Sequence, residues 1–182
     1  MCIRDSSWSV HYGWELGEWA VWLVPALFSS AIASAFLVTV TVTYMLIPEA
    51  NERGDNISHY FNWDSQLMHN GNVIFILIEM AVSDISLSLW YVPYPVIFGC
   101  IYVLFSAFNA RRSGIYFYDF IDPRLNGSHI IHMVLLGVMS IHFILVLIVQ
   151  GLAELNFTGY VLTLALISYL ATTFSDPSEK GD

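Results

Sequence analysis

The sequence predicts an all-α fold, a polytopic transmembrane helix bundle of about five spans joined by short loops. Of the 182 residues, 57% are hydrophobic and only 12% are charged, whereas a soluble domain has about 25% charged residues. The apolar residues form five runs, most of them close to the roughly 17–25 residues that a spanning helix needs. These runs are continuous rather than alternating, which favours helices over a membrane β-barrel.

The whole chain, residues 1–182, is predicted to be a single transmembrane domain, and the five apolar runs define its spans. A leader at 1–18 precedes predicted spans at 19–47, 67–88, 89–110, 129–149 and 157–174, and a tail follows at 175–182. The second span reaches a spanning length only when polar residues at its ends are included. Pro48 is expected to end the first span, because proline breaks the hydrogen-bonding pattern of a helix. Residues 150–156 are expected to form a tight turn between the last two spans.

The basic residues predict how the spans are oriented in an integral, multi-pass membrane protein. The side richer in arginine and lysine is cytosolic by the positive-inside rule. With five spans, Arg4 falls alone on one side of the membrane, and the other side carries Arg53, Arg111, Arg112, Arg124 and Lys180. The C-terminus is therefore predicted to be cytosolic, while the sequence does not indicate which membrane holds the protein.

The net charge and the cysteines exclude some kinds of site, and the first residues bear on where the natural chain begins. A net charge of −9 excludes a nucleic-acid-binding surface. The two cysteines, Cys2 and Cys100, are too few and too far apart for a disulfide framework or a zinc motif. Residues 1–6 (MCIRDS) resemble a translated adapter prefix, so the natural N-terminus is expected to be missing and the chain to be truncated there.

The second predicted span contains two ionisable residues, His69 and Glu79, in an otherwise apolar run. Such residues are costly in a bilayer and therefore indicate a function or a specific partner. His69 suits a general base, because an imidazole exchanges protons near neutral pH. Asn72, three residues further on, could orient the ring. The alternative is an interfacial histidine that contacts water or lipid headgroups.

Glu79 shares a helical stripe with Asn72, Phe75 and Ser83, which predicts that it faces the interior of the bundle. The second and fourth spans run in the same direction. Because ten residues separate His69 from Glu79 and also His132 from His142, both pairs cover about 15 Å of depth. A contact between Glu79 and His142 near the middle of the membrane follows if these two spans touch. The simpler alternative for Glu79 is an ordinary interhelical hydrogen bond.

Other polar residues have alternative interpretations. His129 and His132 lie one helical turn apart and, with His69, could form a three-histidine metal site or hold a haem. Two interfacial histidines are the favoured interpretation, since no carboxylate motif completes a ligand set, and no cofactor is predicted. Thr39, Thr41 and Thr43 are expected to bond within their own helix or to pack between helices.

Two segments resemble the androgen-induced protein and rolling-stone group of multi-span membrane proteins. The first has a tryptophan, then M-H, then F-I-L-I-E-M, at Trp63, Met68, His69 and 75–80. The second is an aromatic loop with Gly114, Tyr116, Tyr118, Phe120, Asp122 and Pro123. Together they cover roughly residues 60–125. Apolar runs match one another by chance, whereas a histidine and a glutamate embedded in such a run do not. The resemblance of the first segment therefore depends mainly on these two residues.

The resemblance implies a hydrolase of fatty acid esters of hydroxy fatty acids, with membrane lipids as its partners. Members of the androgen-induced branch use a membrane-embedded threonine nucleophile and a histidine, and the histidine corresponds to His69. No threonine of this chain, including Thr39, Thr41 and Thr43, matches the surroundings of the nucleophile, so the chain as it stands is expected to be inactive on esters. The alternative is a non-catalytic structural or accessory subunit of a larger membrane complex.

Overall fold

A computed structural model of the protein describes residues 19–83, 85–116, 118 and 121–174. Every regular element in these ranges is a helix, so the predicted all-α bundle is confirmed. The predicted leader and tail, with Arg4 and Lys180, lie outside the described residues, as does Phe120 of the aromatic loop.

In the described ranges, the bundle contains seven α-helices: α1 (Trp19–Thr41), α2 (Ile47–Glu52), α3 (Trp63–Gln66), α4 (Asn72–Val82), α5 (Pro93–Ser113), α6 (Ser128–Leu155) and α7 (Phe157–Ala171). Two π-helical turns join neighbouring elements into longer rods: Val42–Leu46 connects α1 to α2, and Leu67–Gly71 connects α3 to α4. Short 3₁₀ turns at Ser58–Phe61 and Leu89–Tyr91 precede α3 and α5.

Three helical segments in the described ranges are long and apolar enough to cross a membrane: Trp22–Glu52, Leu89–Ser113 and Ser128–Leu155. These are helices of an integral membrane protein. The last helix, Phe157–Ala171, is apolar but shorter. The prediction of five spans and of a cytosolic C-terminus therefore stays a prediction.

The second predicted span was wrong at both ends. Its helical rod begins at Trp63, before residue 67, and ends at Val82. Ser83 is already extended, with φ −98° and ψ 150°. The chain leaves the helix there because the following backbone is held by another helix. Leu87 N–H donates to Gln150 Oε1 at 3.2 Å, and Gln150 Nε2 donates to the Ile85 carbonyl at 2.6 Å.

Gln150 also explains why the turn predicted at residues 150–156 is wrong. The helix α6 continues through this segment and ends only at Leu155. A glutamine in an apolar helix is tolerated when the oxygen and the nitrogen of its side-chain amide are both hydrogen-bonded. Here both atoms form hydrogen bonds with the backbone of residues 85–87. Asn156 then forms the turn, and its Oδ1 accepts from Gly159 N–H at 3.2 Å to cap α7.

Pro48 does not end the first helix, contrary to the prediction. The π-turn Val42–Leu46 comes directly before it, and Ile47 N–H donates to the Val42 carbonyl. Pro48 then lies in the first turn of α2, a position that does not require its missing N–H. The wider turn thus lets the helical rod continue to Glu52.

The helix α1 lies at the centre and packs against α4, α5 and α6, with a smaller contact to α7. Small buried residues of α1, namely Ala26, Ser29, Ser30 and Ala33, allow its neighbours to approach closely. The helices α4 and α6 each pack against both α1 and α7. They therefore lie diagonally across the bundle from each other.

Side chains at one end of the bundle satisfy the last carbonyls of α7, which have no partner within that helix. Thr43 Oγ1 donates to the Ala171 carbonyl at 3.2 Å, and the Tyr44 hydroxyl donates to the Leu170 carbonyl. Asn70 Nδ2 donates at 2.6 Å to the carbonyl of Thr173, two residues beyond the end of α7. The end of α1, the π-turn before α4 and the end of α7 thus meet at what we call the His69 end.

Candidate functional site

His69 lies in the π-turn Leu67–Gly71 at the His69 end. Its backbone is fixed from the central helix, because Thr39 Oγ1 donates to the His69 carbonyl at 2.5 Å. The Thr39 side chain is completely buried. Single π-turns within α-helices are frequent at functional sites. The turn is anchored a second time next to His69, through the hydrogen bonds of Asn70 to Gln66 and Thr173.

The ring of His69 has an unsatisfied nitrogen. Nδ1 is buried and has no hydrogen-bond partner in the described part of the chain. Most buried polar atoms in proteins are hydrogen-bonded, and an unpaired one costs free energy. The structure therefore combines a firmly held backbone with a buried ring nitrogen that has no hydrogen-bond partner among the described residues.

Two predictions for the helical rod that carries His69 were wrong. Asn72 does not orient the ring, since its Nδ2 donates to the Met68 carbonyl at 2.5 Å. Glu79 does not lie on the interior face of α4. The interior face is formed by Asn70 of the π-turn with Val73, Leu77 and Met80.

Glu79 instead lies on the outer side of α4, where its neighbours point away from the bundle. Asn72 is exposed, and Phe75, Ile78 and Val82 are 61%, 53% and 75% exposed. Glu79 itself is half-buried. Its carboxyl forms no ion pair or side-chain hydrogen bond with another described residue.

The predicted contact between Glu79 and His142 is also wrong. Their helices, α4 and α6, lie diagonally, and Glu79 is on the outer side of α4. His142 instead lines a small apolar cavity of about 120 Å³ with Phe36, Leu77 and Leu164. Its ring centroid is 5.9 Å from that of Phe36, and its Nδ1 is buried without a partner among the described residues.

The alternative of a metal held by His69, His129 and His132 is wrong as well. In the described ranges, no group of three or more histidine, cysteine, aspartate or glutamate side chains is placed to hold a metal ion. His129 is exposed, whereas His132 faces a cavity between α1, α5 and α6. His69 is on the π-turn before α4, which packs on a different side of α1.

The cavity between α1, α5 and α6 has a volume of about 260 Å³, and we call it the α1–α5–α6 cavity. Most of its walls are apolar. Its polar lining comes from Ser34, Thr41, Tyr102, Tyr118 and His132. His132 Nε2 is buried and has no hydrogen-bond partner within the described ranges. Burial raises the pKa of the Tyr118 phenol, so this side chain is neutral at physiological pH.

The aromatic loop after α5 contains a charged pair between two of its own residues. Arg124 Nη2 lies 2.6 Å from Asp122 Oδ2, and the Arg124 guanidinium carbon lies 5.7 Å from the Tyr116 ring centroid. The hydrogen bond from Arg124 lowers the pKa of the Asp122 carboxyl. Gly114, with φ 77°, ends α5 in the left-handed conformation that glycine adopts readily.

Sequence reasoning did not find the α1–α5–α6 cavity or the interhelical bonds of Thr39 and Gln150. Thr41 was considered only for packing, and Tyr118 only as part of an aromatic loop. Thr39 and Thr43 bond other helices rather than their own, which agrees with the expected packing between helices. Gly99 was a usable signal for the cavity, because a glycine inside an apolar helix often marks a close helix contact.

The fold and these sites define a multi-helix integral membrane protein with an unsatisfied histidine at one end and a separate interhelical cavity. No family model, no curated protein and no solved structure matches the chain.

Proposed function

We propose that the protein is a membrane-embedded lipid ester hydrolase in which His69 is the general base, as the resemblance to the androgen-induced group implies. One observation supports this role above the others. The Nδ1 atom of His69 is buried and unpaired among the described residues, while its backbone is fixed by Thr39. A base needs both a free nitrogen and a defined position.

In this mechanism, His69 accepts the proton of a hydroxyl nucleophile as the nucleophile's oxygen attacks the ester carbonyl. The ester bond breaks, the alcohol leaves with a proton returned by the imidazole, and water then hydrolyses the acyl-enzyme. Thr39 does not fit the role of nucleophile, because its hydroxyl donates to the His69 carbonyl rather than to the ring. Every threonine of this sequence lies in the described residues, and none of them bonds His69 Nδ1. The proposal therefore requires a nucleophilic threonine that this sequence does not itself contain.

The proposal is tested by labelling membranes that contain the protein expressed from its complete coding sequence with a fluorophosphonate probe. His69→Ala is expected to abolish labelling. His129→Ala, which changes an exposed histidine, is the matched control and should label like the unchanged protein. Equal labelling of the His69→Ala variant would remove His69 from the mechanism.

A second candidate function, a structural or accessory subunit of a larger membrane complex, is supported by Glu79. This carboxyl is half-buried beside exposed apolar side chains and has no partner in the described part of the chain. A carboxyl within a bilayer is costly unless a hydrogen-bond donor satisfies it. A donor on a helix of another subunit would do so.

This second function is tested by purification in mild detergent. Glu79→Leu is expected to release a stoichiometric membrane partner, whereas Glu79→Gln keeps a hydrogen-bonding group and should retain more of it. Val82→Leu, on the same outer side, serves as the control. A protein that purifies without any stoichiometric partner contradicts the subunit role.

A further inference from the structure

The outer surface of α5 carries an apolar stripe that leads to two arginines. Four apolar side chains at intervals of three or four residues are each more than half exposed, and we call them the α5 outer stripe: Ile97, Ile101, Leu104 and Phe108. Arg111 and Arg112 are exposed and continue the same helical spacing beyond the stripe. Because α5 lies in a segment long and apolar enough to cross a membrane, the stripe faces lipid chains and the arginines lie toward the headgroups.

Arg112 is held against the last ring of the stripe. Its guanidinium carbon lies 5.3 Å from the centroid of the Phe108 ring, a cation–π contact. Side chains of a helix lean toward its N-terminus, so this contact keeps the charge of Arg112 over the apolar stripe. The guanidinium therefore lies at the boundary between the apolar surface and water, where a bilayer has its phosphates.

Arg111 and Arg112 differ from the other described arginines in having no carboxylate beside them. Arg53 lies 3.1 Å or less from two carboxylates, and Arg124 lies 2.6 Å from one. Neither Arg111 nor Arg112 forms an ion pair within the described ranges. The planar guanidinium matches phosphate oxygens in both charge and hydrogen-bonding geometry. The two groups therefore fit a partner that carries a negatively charged phosphate.

We propose that the end of the α5 outer stripe binds an anionic glycerophospholipid. Its phosphate bonds the guanidinium groups of Arg111 and Arg112, and an acyl chain lies along Phe108, Leu104 and Ile101. The eleven residues from Ile101 to Arg112 rise about 16 Å, close to half of the roughly 30 Å hydrocarbon core. The cytosolic leaflet, where the sequence predicts this end of α5, is the one that carries anionic lipids. This inference goes beyond the proposed hydrolase and does not depend on it.

The site is tested on the purified full chain in phosphatidylcholine nanodiscs that contain increasing fractions of phosphatidate. Native mass spectrometry counts the lipids that stay bound after transfer to mild detergent. One basic side chain near a membrane surface strengthens the attraction of anionic lipid about fivefold. The double variant Arg111→Gln and Arg112→Gln is therefore expected to weaken phosphatidate binding at least about tenfold.

The matched control is the double variant Arg53→Gln and Arg124→Gln. It removes the same two charges from the same end of the bundle, since Leu46 before α2 and Ile121 after α5 line one cavity. Both arginines are exposed and already paired with carboxylates. Phosphatidate binding by the control should therefore stay within about twofold of the unchanged protein. Thermal unfolding shows that both double variants are folded.

Phosphatidate with a diazirine in one acyl chain tests where the chain lies. Crosslinks are expected on Ile101, Leu104 and Phe108 of the α5 outer stripe. Fewer are expected on Ile148 of α6 and Leu162 of α7, which are at least as exposed as Phe108. In the Arg111 and Arg112 double variant, crosslinking of α5 should fall to the level of the other two helices.

Several outcomes would overturn the proposal. Equal phosphatidate binding by the two double variants would exclude the site and leave only a general attraction between charges. Even crosslinking of α5, α6 and α7 in the unchanged protein would exclude a defined chain position. Retention of phosphatidylcholine as strong as that of phosphatidate would exclude an anionic head. Binding is expected to persist in His69→Ala, so a failure of the proposed hydrolase and a failure of this site are distinguishable.

Discussion

The hydrogen bond between Thr39 and His69 predicts how strongly the central helix stabilises the candidate site. Thr39→Val keeps the shape of the side chain but removes its hydroxyl. The 2.5 Å bond to the His69 carbonyl is then lost at a position with no solvent exposure. A typical intramolecular hydrogen bond contributes about 0.5–1.5 kcal/mol, and an unsatisfied buried group costs about 1–3 kcal/mol. Interhelical hydrogen bonds measured in a membrane protein average only about 0.6 kcal/mol.

We therefore expect Thr39→Val to lower the free energy of unfolding by about 1–2 kcal/mol, within the range for a buried hydrogen bond. Reversible unfolding in mixed micelles with increasing dodecyl sulfate measures this change. The matched control is Thr163→Val. Thr163 Oγ1 donates to Gly159 in its own helix at 2.8 Å, so its loss leaves contacts between helices intact. The control should change stability by no more than about 0.5 kcal/mol.

The same variant has a functional consequence. If the Thr39 bond holds His69 in place, Thr39→Val should also reduce fluorophosphonate labelling while His69 itself is unchanged. Equal stability of the Thr39→Val and Thr163→Val variants would refute the argument that the bond between helices fixes the π-turn.

Three further predictions concern other parts of the bundle. Gly99→Ala should be at most about 1 kcal/mol less stable than Gly137→Ala, because a Cβ at Gly99 would lie 2.6 Å from the flexible end of Leu136, which can shift beside the adjoining cavity, whereas a Cβ at Gly137 meets open space. Detergent unfolding compares the two. Gln150→Leu should increase hydrogen exchange of the Leu87 amide, because that N–H loses its acceptor. Arg124→Ala should raise the pKa of Asp122, as measured by carboxyl NMR, because Arg124 lowers it in the folded protein. The stabilisation from that lowered pKa is present above the unfolded-state pKa of Asp122 and is lost as pH falls through the folded-state pKa.

The helix boundaries show where sequence reasoning reached its limit. The predicted fourth span, 129–149, starts one residue from the observed start of α6 but ends too early, because Gln150 was interpreted as part of a turn. Its amide is in fact satisfied by the 85–87 backbone, a segment more than 60 residues away. The error at Pro48 has a similar origin, since only the π-turn before it allows the helix to continue.

The candidate site was predicted only in part. His69 was singled out because an ionisable residue in an apolar run is unusual, and the structure gives it a buried, unpaired ring nitrogen among the described residues. The stripe that contains Glu79 was assigned to the wrong side of α4. Lipid chains are as apolar as a leucine side chain, so hydrophobicity does not distinguish the face toward lipid from the face toward other helices.

The amino-acid sequence by itself determined that this protein is a helical bundle in a membrane. Continuous hydrophobicity is a local property, and a bilayer requires every backbone group to be paired within its own helix or barrel. Only the tertiary structure decided which faces meet, that α4 and α6 are diagonal, and that His132 faces a cavity while Glu79 lies on the outer side. Those features depend on side-chain packing and on hydrogen bonds between distant segments, which a local pattern of apolar residues does not encode.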